Sequence, residues 1–297
     1  MNRVFVLGNA TLDVTQRVAH LPRPGETLIG SPPTRNAGGK GLNQAIVAAR
    51  AGAPTFFAAT IGDDADGAML RAALAAEPIA GVNLIVGAAP SDLSVIWVDA
   101  QGQNVIVSSN AAALSIPPQH ATEFLDEMTA SDWLLLQGNL SQATTHAAAA
   151  QARRRGARIA VNPAPINFQF EDILALADLI VVNEVEAMTL APQGDAKQAA
   201  AALATPSRAV VLTLGADGAW LHGASSARHF AAPRVKAIDT AGAGDVLTGT
   251  LVGLLAQGQT PLAALNIAIA AASLSVTRPG TLPSFPTQTE FAALQRR

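Results

Sequence analysis

The sequence predicts an α/β fold in which a central, mostly parallel sheet carries helices on both faces and a small, separate β-sheet sits beside it as a lid. Three observations carry that expectation. From Trp133 onward, short apolar strands alternate with Ala-rich helical stretches, the pattern of a parallel sheet covered on both sides. Several of those strands end in polar residues, where such folds gather their ligands. Residues 14–35 and 91–110 instead hold short alternating runs broken by Pro and Gly, as strands leaving the main sheet would.

Composition narrows the class. With 49% hydrophobic and 14% charged residues, the 297-residue chain is a well-buried globular protein of one large domain, or one domain and a small appendage. A net charge of −3 without a basic stripe argues against nucleic-acid binding. The densest basic cluster, Arg153-Arg154-Arg155, ends an Ala-rich helix, where it complements the helix dipole. The absence of cysteine excludes disulfides, thiolate chemistry and Cys-based zinc sites, and fits a reducing compartment. Val4 to Leu7 is too short an apolar run for a signal peptide, and no segment approaches the ~20 apolar residues of a membrane span. A cytoplasmic location with no membrane partner is therefore expected.

Taken in order, Val4 to Leu7 is the first strand, ending at Gly8-Asn9, with Asp13 close behind it. Asp13 is either a ligand-facing carboxylate or a turn residue; its spacing alone leaves both open. Val14 to His20 alternate, Pro22 and Pro24-Gly25 turn the chain, and Thr27-Leu28-Ile29 reads as another short strand. Gly38-Gly39-Lys40-Gly41 then opens a helix that runs through Ala51. Its glycines let a ligand approach the backbone closely, and Lys40 and Asn43 share one helical face. Thr55 to Thr60 is a strand, and the Asp63-Asp64-Ala65-Asp66 turn caps the helix from Ala68 to Ala76, lacking the spacing of a calcium loop. Leu93 to Asp99 and Asn104 to Ser108 pair across Ala100-Gln101-Gly102-Gln103, completing the lid. The lid thus covers 14–35 and 91–110, and the core 1–13, 36–90 and 111–297.

Strands at Trp133 to Leu136, Arg158 to Val161, Leu179 to Val182 and Ala209 to Leu214 end in Gln137-Gly138-Asn139, Asn162-Pro163-Ala164-Pro165, Asn183-Glu184-Val185-Glu186 and a turn at Gly215 to Gly218. Glu184 and Glu186 fit equally a first-turn dipole role and a metal-linked one. Ala263 to Thr277 is a long apolar helix. The five histidines show no metal-ligand spacing and are expected on the surface.

The chain is organised around Asp239-Thr240-Ala241-Gly242-Ala243-Gly244-Asp245 and the apolar helix behind it. Small residues at a helix N-terminus offer backbone N–H groups to an anion. A carboxylate at Asp245 would repel that anion unless it removes a proton from a hydroxyl nucleophile while the amides hold a transferring phosphoryl group. The plainer alternative is an Asp that caps its helix. The stretch is no P-loop, and Leu247 stands where the dinucleotide fingerprint needs a third glycine.

Gly38 to Ala45 and Asp239 to Asp245 resemble the two signature motifs of the ribokinase-like (pfkB) family of sugar kinases, with Asn162-Pro163-Ala164-Pro165 and Asn183-x-x-Glu186 between them in the family's order. The resemblance spans nearly the whole chain. It implies a three-layer core, a β lid that also forms a homodimer interface, and ATP, Mg2+ and a monovalent cation, K+, as cofactors. By the same resemblance Asp245 is the catalytic base, and amides from Ala241 through Gly242, Ala243 and Gly244 to Asp245 form the anion hole. Thr11, Asp13, Gly38, Gly39, Lys40, Asn43 and Asn139 take sugar-contacting positions. Asn183 and Glu186 organise the magnesium–phosphate water shell, and Thr213, Gly215, Gly218 and Gly244 wall the nucleotide. Asp239, carbonyls at Ala241, Ser275, Arg278 and Gly280, and the Ser284 side chain form the cation site. The implied reaction carries the γ-phosphoryl group of ATP to the primary hydroxyl of a furanose, D-ribose first. A ketohexose, deoxypentose or nucleoside kinase is the alternative, and a non-catalytic sugar sensor a more distant one. Thr11 stands where these kinases carry Asn, Asn139 where they carry Glu, and Ile269 where a polar residue neighbours the adenine. The first two departures concern ring-hydroxyl recognition rather than phosphoryl transfer.

Overall fold

A computed structural model describes residues 2–223 and 225–296. Its strands are β1 (Val4–Leu7), β2 (Thr11–Arg17), β3 (Thr34–Gly38), β4 (Thr55–Gly62), β5 (Gly81–Gly87), β6 (Asp92–Val98), β7 (Asn104–Ser108), β8 (Trp133–Gln137), β9 (Arg158–Asn162), β10 (Leu179–Asn183), β11 (Ala209–Thr213), β12 (Ala219–His222) and β13 (Ala227–Phe230). The helices are α1 (Lys40–Arg50), α2 (Ala65–Ala75), α3 (Ala111–Leu114), α4 (Pro118–Phe124), α5 (Gln142–Arg154), α6 (Glu171–Leu176), α7 (Glu184–Leu190), α8 (Ala196–Leu203), α9 (Ala243–Ala256), α10 (Pro261–Ser275) and α11 (Gln288–Gln295).

Nine strands form one sheet in the order β13-β12-β11-β10-β9-β8-β1-β4-β5, parallel from β11 to β5 and antiparallel at the β11–β12–β13 edge. Alternation within the strands builds a core on each face. Val4, Val6, Leu135 and Val181 pack on the side of α1, α9 and α10, while Phe5, Leu7, Leu134, Leu136 and Val182 pack on the side of α5 and α8. A parallel sheet sandwiched this way needs apolar side chains on both faces, so its strands read as unbroken hydrophobic runs. Small residues set the spacing between the helices: a Cβ on Gly249 of α9 would stand 2.5 Å from the Gln44 carbonyl oxygen of α1. The two helices therefore meet backbone to backbone, with the start of α9 held beside α1.

The second sheet runs β3-β2-β6-β7, and its central pair, β2 and β6, is parallel. It departs from the sequence reading in one strand. Thr27-Leu28-Ile29 is not a strand; the partner of β2 is Thr34–Gly38. Ile29 is 96% exposed, so the proline-rich 22–33 segment has no buried face to stabilise a strand there. Because Thr11 pairs with Gly38 and Asp13 with Asn36, the small sheet reaches beyond residues 14–35 at both ends. Strands β5 and β13 were not foreseen, and His222 is buried rather than on the surface, beside Trp220 on the face of the sheet that α8 covers.

Candidate active site

Helix α9 begins on a left-handed residue. Gly242 is its N-cap at φ 77°, and a side chain there would both strain the backbone and strike the Phe285 ring, 2.8 Å from the built Cβ. No side chain caps the helix, so its first-turn amides have no partner within it. Asp239 fixes the loop that leads in: one carboxylate oxygen accepts from the Ala241 amide at 3.0 Å and the other from the Gly280 amide at 2.9 Å. A Cβ on Gly244 would meet no atom within 4 Å, so the helix mouth faces open space. Fixed amides, a positive helix end and room beside them make an anion site.

Asp245, in the first turn, is 5% exposed. Its Oδ2 accepts from Asn43 Nδ2 at 3.0 Å and its Oδ1 from Gln44 Nε2 at 2.9 Å, while Lys40 Nζ stands 3.9 Å from Oδ1. The two amide donors and the ammonium come from one face of α1, at positions i, i+3 and i+4. The start of α1 is set by Gly39 at φ 95° and by Asn9, whose side chain accepts from the Gly41 amide at 3.1 Å.

Asp13 approaches the same space from β2. A Cβ on Gly38 would lie 2.1 Å from its Oδ2, so only glycine leaves room for that carboxylate. Burial pushes the Asp13 carboxyl up to about 6, against the pull of the Thr11 and Ser94 hydroxyls and with a further push from the Asp245 charge. Thr11 Oγ1 donates to Asp13 Oδ1 at 3.1 Å. The Oδ1 atoms of Asn43 and Asn139 are buried with no partner among the described residues.

From Gly244 a cleft of about 650 Å³ extends past Thr213 to Gly215 and Gly218, with Ile269 in its apolar wall. Asn183 and Glu186 close a reciprocal capping box at the start of α7, so both expected roles for Glu186 begin from a capped helix. Burial raises the Glu186 carboxyl, opposed by the Asn183 amide and the Lys40 charge, with Asp245 adding to the rise. On the far side of the Asp239 loop, the hydroxyls of Ser275 and Ser284 are buried and donate to nearby carbonyls at 2.8 and 2.7 Å. The Arg278 guanidinium pairs with Glu290, so this residue offers the loop only its backbone. No group of three His, Cys, Asp or Glu side chains that would hold a metal occurs among the described residues.

Sequence reasoning placed Asp245, Asn43, Lys40 and Asp13 around one space but passed over Gln44, Gln137 and Ser94. The helical offset of Gln44 from Lys40 was a signal for the first. Ser94 lies opposite Asp13 only through the parallel β2–β6 register, which sequence periodicity does not reveal.

Comparison with known proteins agrees with this geometry. Residues 1–288 match the pfkB family of carbohydrate kinases. The chain belongs to that family and is an ATP-dependent carbohydrate kinase. It is 32% identical over 292 residues to the ribokinase of Haemophilus influenzae, covering 96% of this chain and 95% of that protein. Among solved structures, a ribokinase from Thermotoga maritima superposes with a TM-score of 0.90 at 28% identity, covering 100% of both chains. Arabidopsis thaliana ribokinase complexed with ribose and ATP gives 0.87 at 26% identity, again over 100% of both chains.

Proposed function

We propose that this chain transfers the γ-phosphoryl group of ATP to the primary hydroxyl of D-ribose, giving ribose 5-phosphate and ADP. The observation that carries the reading is the position of Asp245: a buried carboxylate, third residue of a helix whose mouth opens onto free space. The likeness to the Haemophilus influenzae ribokinase and to the Arabidopsis thaliana ribokinase complexed with ribose and ATP supports the choice of sugar. Asp245 takes the hydroxyl proton as the oxygen attacks the γ-phosphorus, and the amides of Gly242 to Asp245 hold the charge that develops on the phosphoryl oxygens. Asp13, Lys40, Asn43 and Asn139 orient the sugar hydroxyls, with Gly38 and Gly39 giving the ring room at the backbone. Positioning and electrostatics supply most of the acceleration for such a transfer. The small sheet, closing over the sugar, excludes water as a competing acceptor. Asn183 and Glu186 face the phosphates through water.

Mg2+ fits this donor set as a largely hydrated ion, since one half-buried carboxylate is available and Mg2+ retains several waters. When bound, it neutralises charge on the β- and γ-phosphates. Asp239, the Ser284 hydroxyl and backbone carbonyls at Ala241, Ser275, Arg278 and Gly280 would supply an all-oxygen donor set, which suits a monovalent cation such as K+ that would stiffen the loop without touching substrate. We further propose a cytoplasmic homodimer assembled through the small sheet, whose strand β7 exposes Val105, Ile106 and Val107.

The test is ADP release over a panel of sugars and nucleosides, with wild type and Asp245→Asn. Ribose is expected to be turned over, and the variant to lose at least ~10³-fold in kcat. Phosphorylation of nucleosides but not free sugars would overturn the ribose reading; equal rates for the two proteins would remove Asp245 from its role.

A further inference from the structure

Gln44 is fully buried, and every polar atom of its side chain is engaged. One Nε2 hydrogen goes to Asp245 Oδ1 at 2.9 Å and the other to Asn162 Oδ1 at 3.1 Å. Its Oε1 accepts from Gln137 Nε2 at 2.8 Å. Asn162 is fixed in turn, donating its own amide to the Val181 carbonyl at 2.9 Å. The chain of amides thus links the C-terminal ends of β8 and β9 and the adjacent β10 to the carboxylate on α9. It has one orientation. Turning the Gln44 amide over would set its carbonyl against the Asp245 carboxylate and its NH2 against that of Gln137, losing all three bonds at a fully buried side chain.

The backbone geometry adds a second constraint. Asp245 and Gly249 lie one turn apart on the same face of α9. Gln44 meets both: its carbonyl oxygen lies against Gly249, and its side chain reaches Asp245. The amide therefore sets the carboxylate plane relative to the helix whose mouth receives the anion. Gln44 does not border the open cleft and, at 0% exposure, has no surface with which to meet a ligand.

We infer that Gln44 is a positioning residue: held by Gln137 and Asn162, it aims the Asp245 carboxylate at the nucleophilic hydroxyl and so transmits the rigidity of the main sheet to the reacting proton. The inference rests on the reading of Asp245 as the base. A misaimed base slows the chemical step without weakening either substrate, because no contact to sugar or nucleotide is removed.

Gln137 offers a way to test this without collapsing the fold. Its Oε1 is already buried without a partner among the described residues, so Gln137→Met removes an unsatisfied acceptor along with the donor that orients Gln44. The experiment measures kcat, both KM values and thermal melting for Gln44→Met, Gln137→Met, Asp245→Asn and the double variant Gln44→Met/Asp245→Asn. Gln44→Met is expected to lower kcat about 10²-fold with both KM values unchanged, the size of loss a misplaced reacting group produces. Gln137→Met is expected to give a smaller loss of the same kind at wild-type melting temperature. In the double variant, Gln44→Met should remove nothing further, since its effect runs through Asp245. A wild-type kcat for Gln44→Met beside an inactive Asp245→Asn overturns the positioning role and leaves the base in place; so do losses that multiply in the double variant. Full activity in Asp245→Asn overturns the base assignment and the inference with it. If Gln44→Met does not fold, Gln137→Met decides: a lowered kcat with unchanged KM supports the inference, and a wild-type kcat ends it.

Discussion

Asp245, on helix α9 of the core, and Asp13, on the small sheet, lie near enough for the charge of one to act on the other, and they are held there by different chemistry. Asp245 sits where two helices of the core meet at a glycine, and amide N–H groups from Asn43 and Gln44 lock both of its oxygens in place. Asp13 sits on the second strand of the small sheet, against hydroxyls, with burial as the dominant influence on its charge. Amides of buried side chains have one satisfied orientation, whereas hydroxyls rotate to suit whichever proton state is present. The contrast assigns directional chemistry to the core and adaptable recognition to the small sheet.

The largest expected effect tests the core side of that contrast. Asp245→Asn should cost kcat at least ~10³-fold while the sugar still binds, because the amide keeps the shape of the carboxylate but cannot take a proton and sets its NH2 against one of the two amide donors. A comparable rise in sugar KM would show that the two aspartates share one role. Next comes the helix mouth. Gly244→Ala adds a Cβ that meets no protein atom, and alanine is the better helix residue by ~1 kcal/mol, so melting temperature should hold or rise. The same methyl projects toward the space where the phosphoryl group is expected, and kcat should fall about 10²-fold. Melting by differential scanning fluorimetry beside steady-state kinetics separates the two; a gain in both would place the anion elsewhere.

The small sheet is tested through proton linkage. With a folded pKa of about 6 against an ordinary 3.8, Asp13 binds its proton more tightly in the folded chain. The native state then holds more protons than the unfolded one between those values. The stabilisation is fully present below pH ~4 and lost as pH rises through about 6, a swing of about 1–3 kcal/mol. Asp13→Asn should flatten this part of the ligand-free protein's stability curve. The same change should raise sugar KM about 10- to 100-fold through lost charge-assisted hydrogen bonds. Urea unfolding at several pH values checks the first part; an unchanged slope for Asp13→Asn would show that the carboxylate is not desolvated.

How much of this was legible in sequence follows the same division. The central strands of the main sheet were readable because each, buried on both faces, is a run such as Trp133 to Leu136 or Leu179 to Val182 that admits few other structures, whereas the edge strands β5 and β13, largely open to solvent, carry no such run and were missed. The loop at Asp239 to Asp245 was readable because a carboxylate beside an anion-binding turn demands a chemical reason. The small sheet was harder. Its strand β3, Thr34–Gly38, carries Arg35 and Asn36, and its glycine is present for the Asp13 carboxylate rather than for strand propensity. The amide chain through Gln44 was hidden for another reason: Gln44, Gln137, Asn162 and Asp245 are brought together by topology alone, and a buried glutamine looks the same in sequence as an exposed one.

The smallest expected effect asks how firmly the two regions are joined. Arg35 on β3 pairs with Asp66 in the first turn of α2, with the two side chains 45% and 26% exposed. An ion pair this open to water contributes at most ~1 kcal/mol and weakens further with salt. Arg35→Ala should therefore lower stability by no more than that, shift sugar KM only slightly, and lose both effects at high ionic strength. The Asp64 carboxylate, itself exposed, joins the same two regions by charge-assisted hydrogen bonds to backbone, accepting from the Gly67 amide at 2.7 Å and the Ser91 amide at 2.8 Å and so anchoring the chain just before β6 to the core. If Arg35→Ala changed sugar KM as much as Asp13→Asn does, the surface pair rather than the Asp64 anchor would set the placement of the small sheet, and the adaptability assigned to it would belong to a single salt bridge.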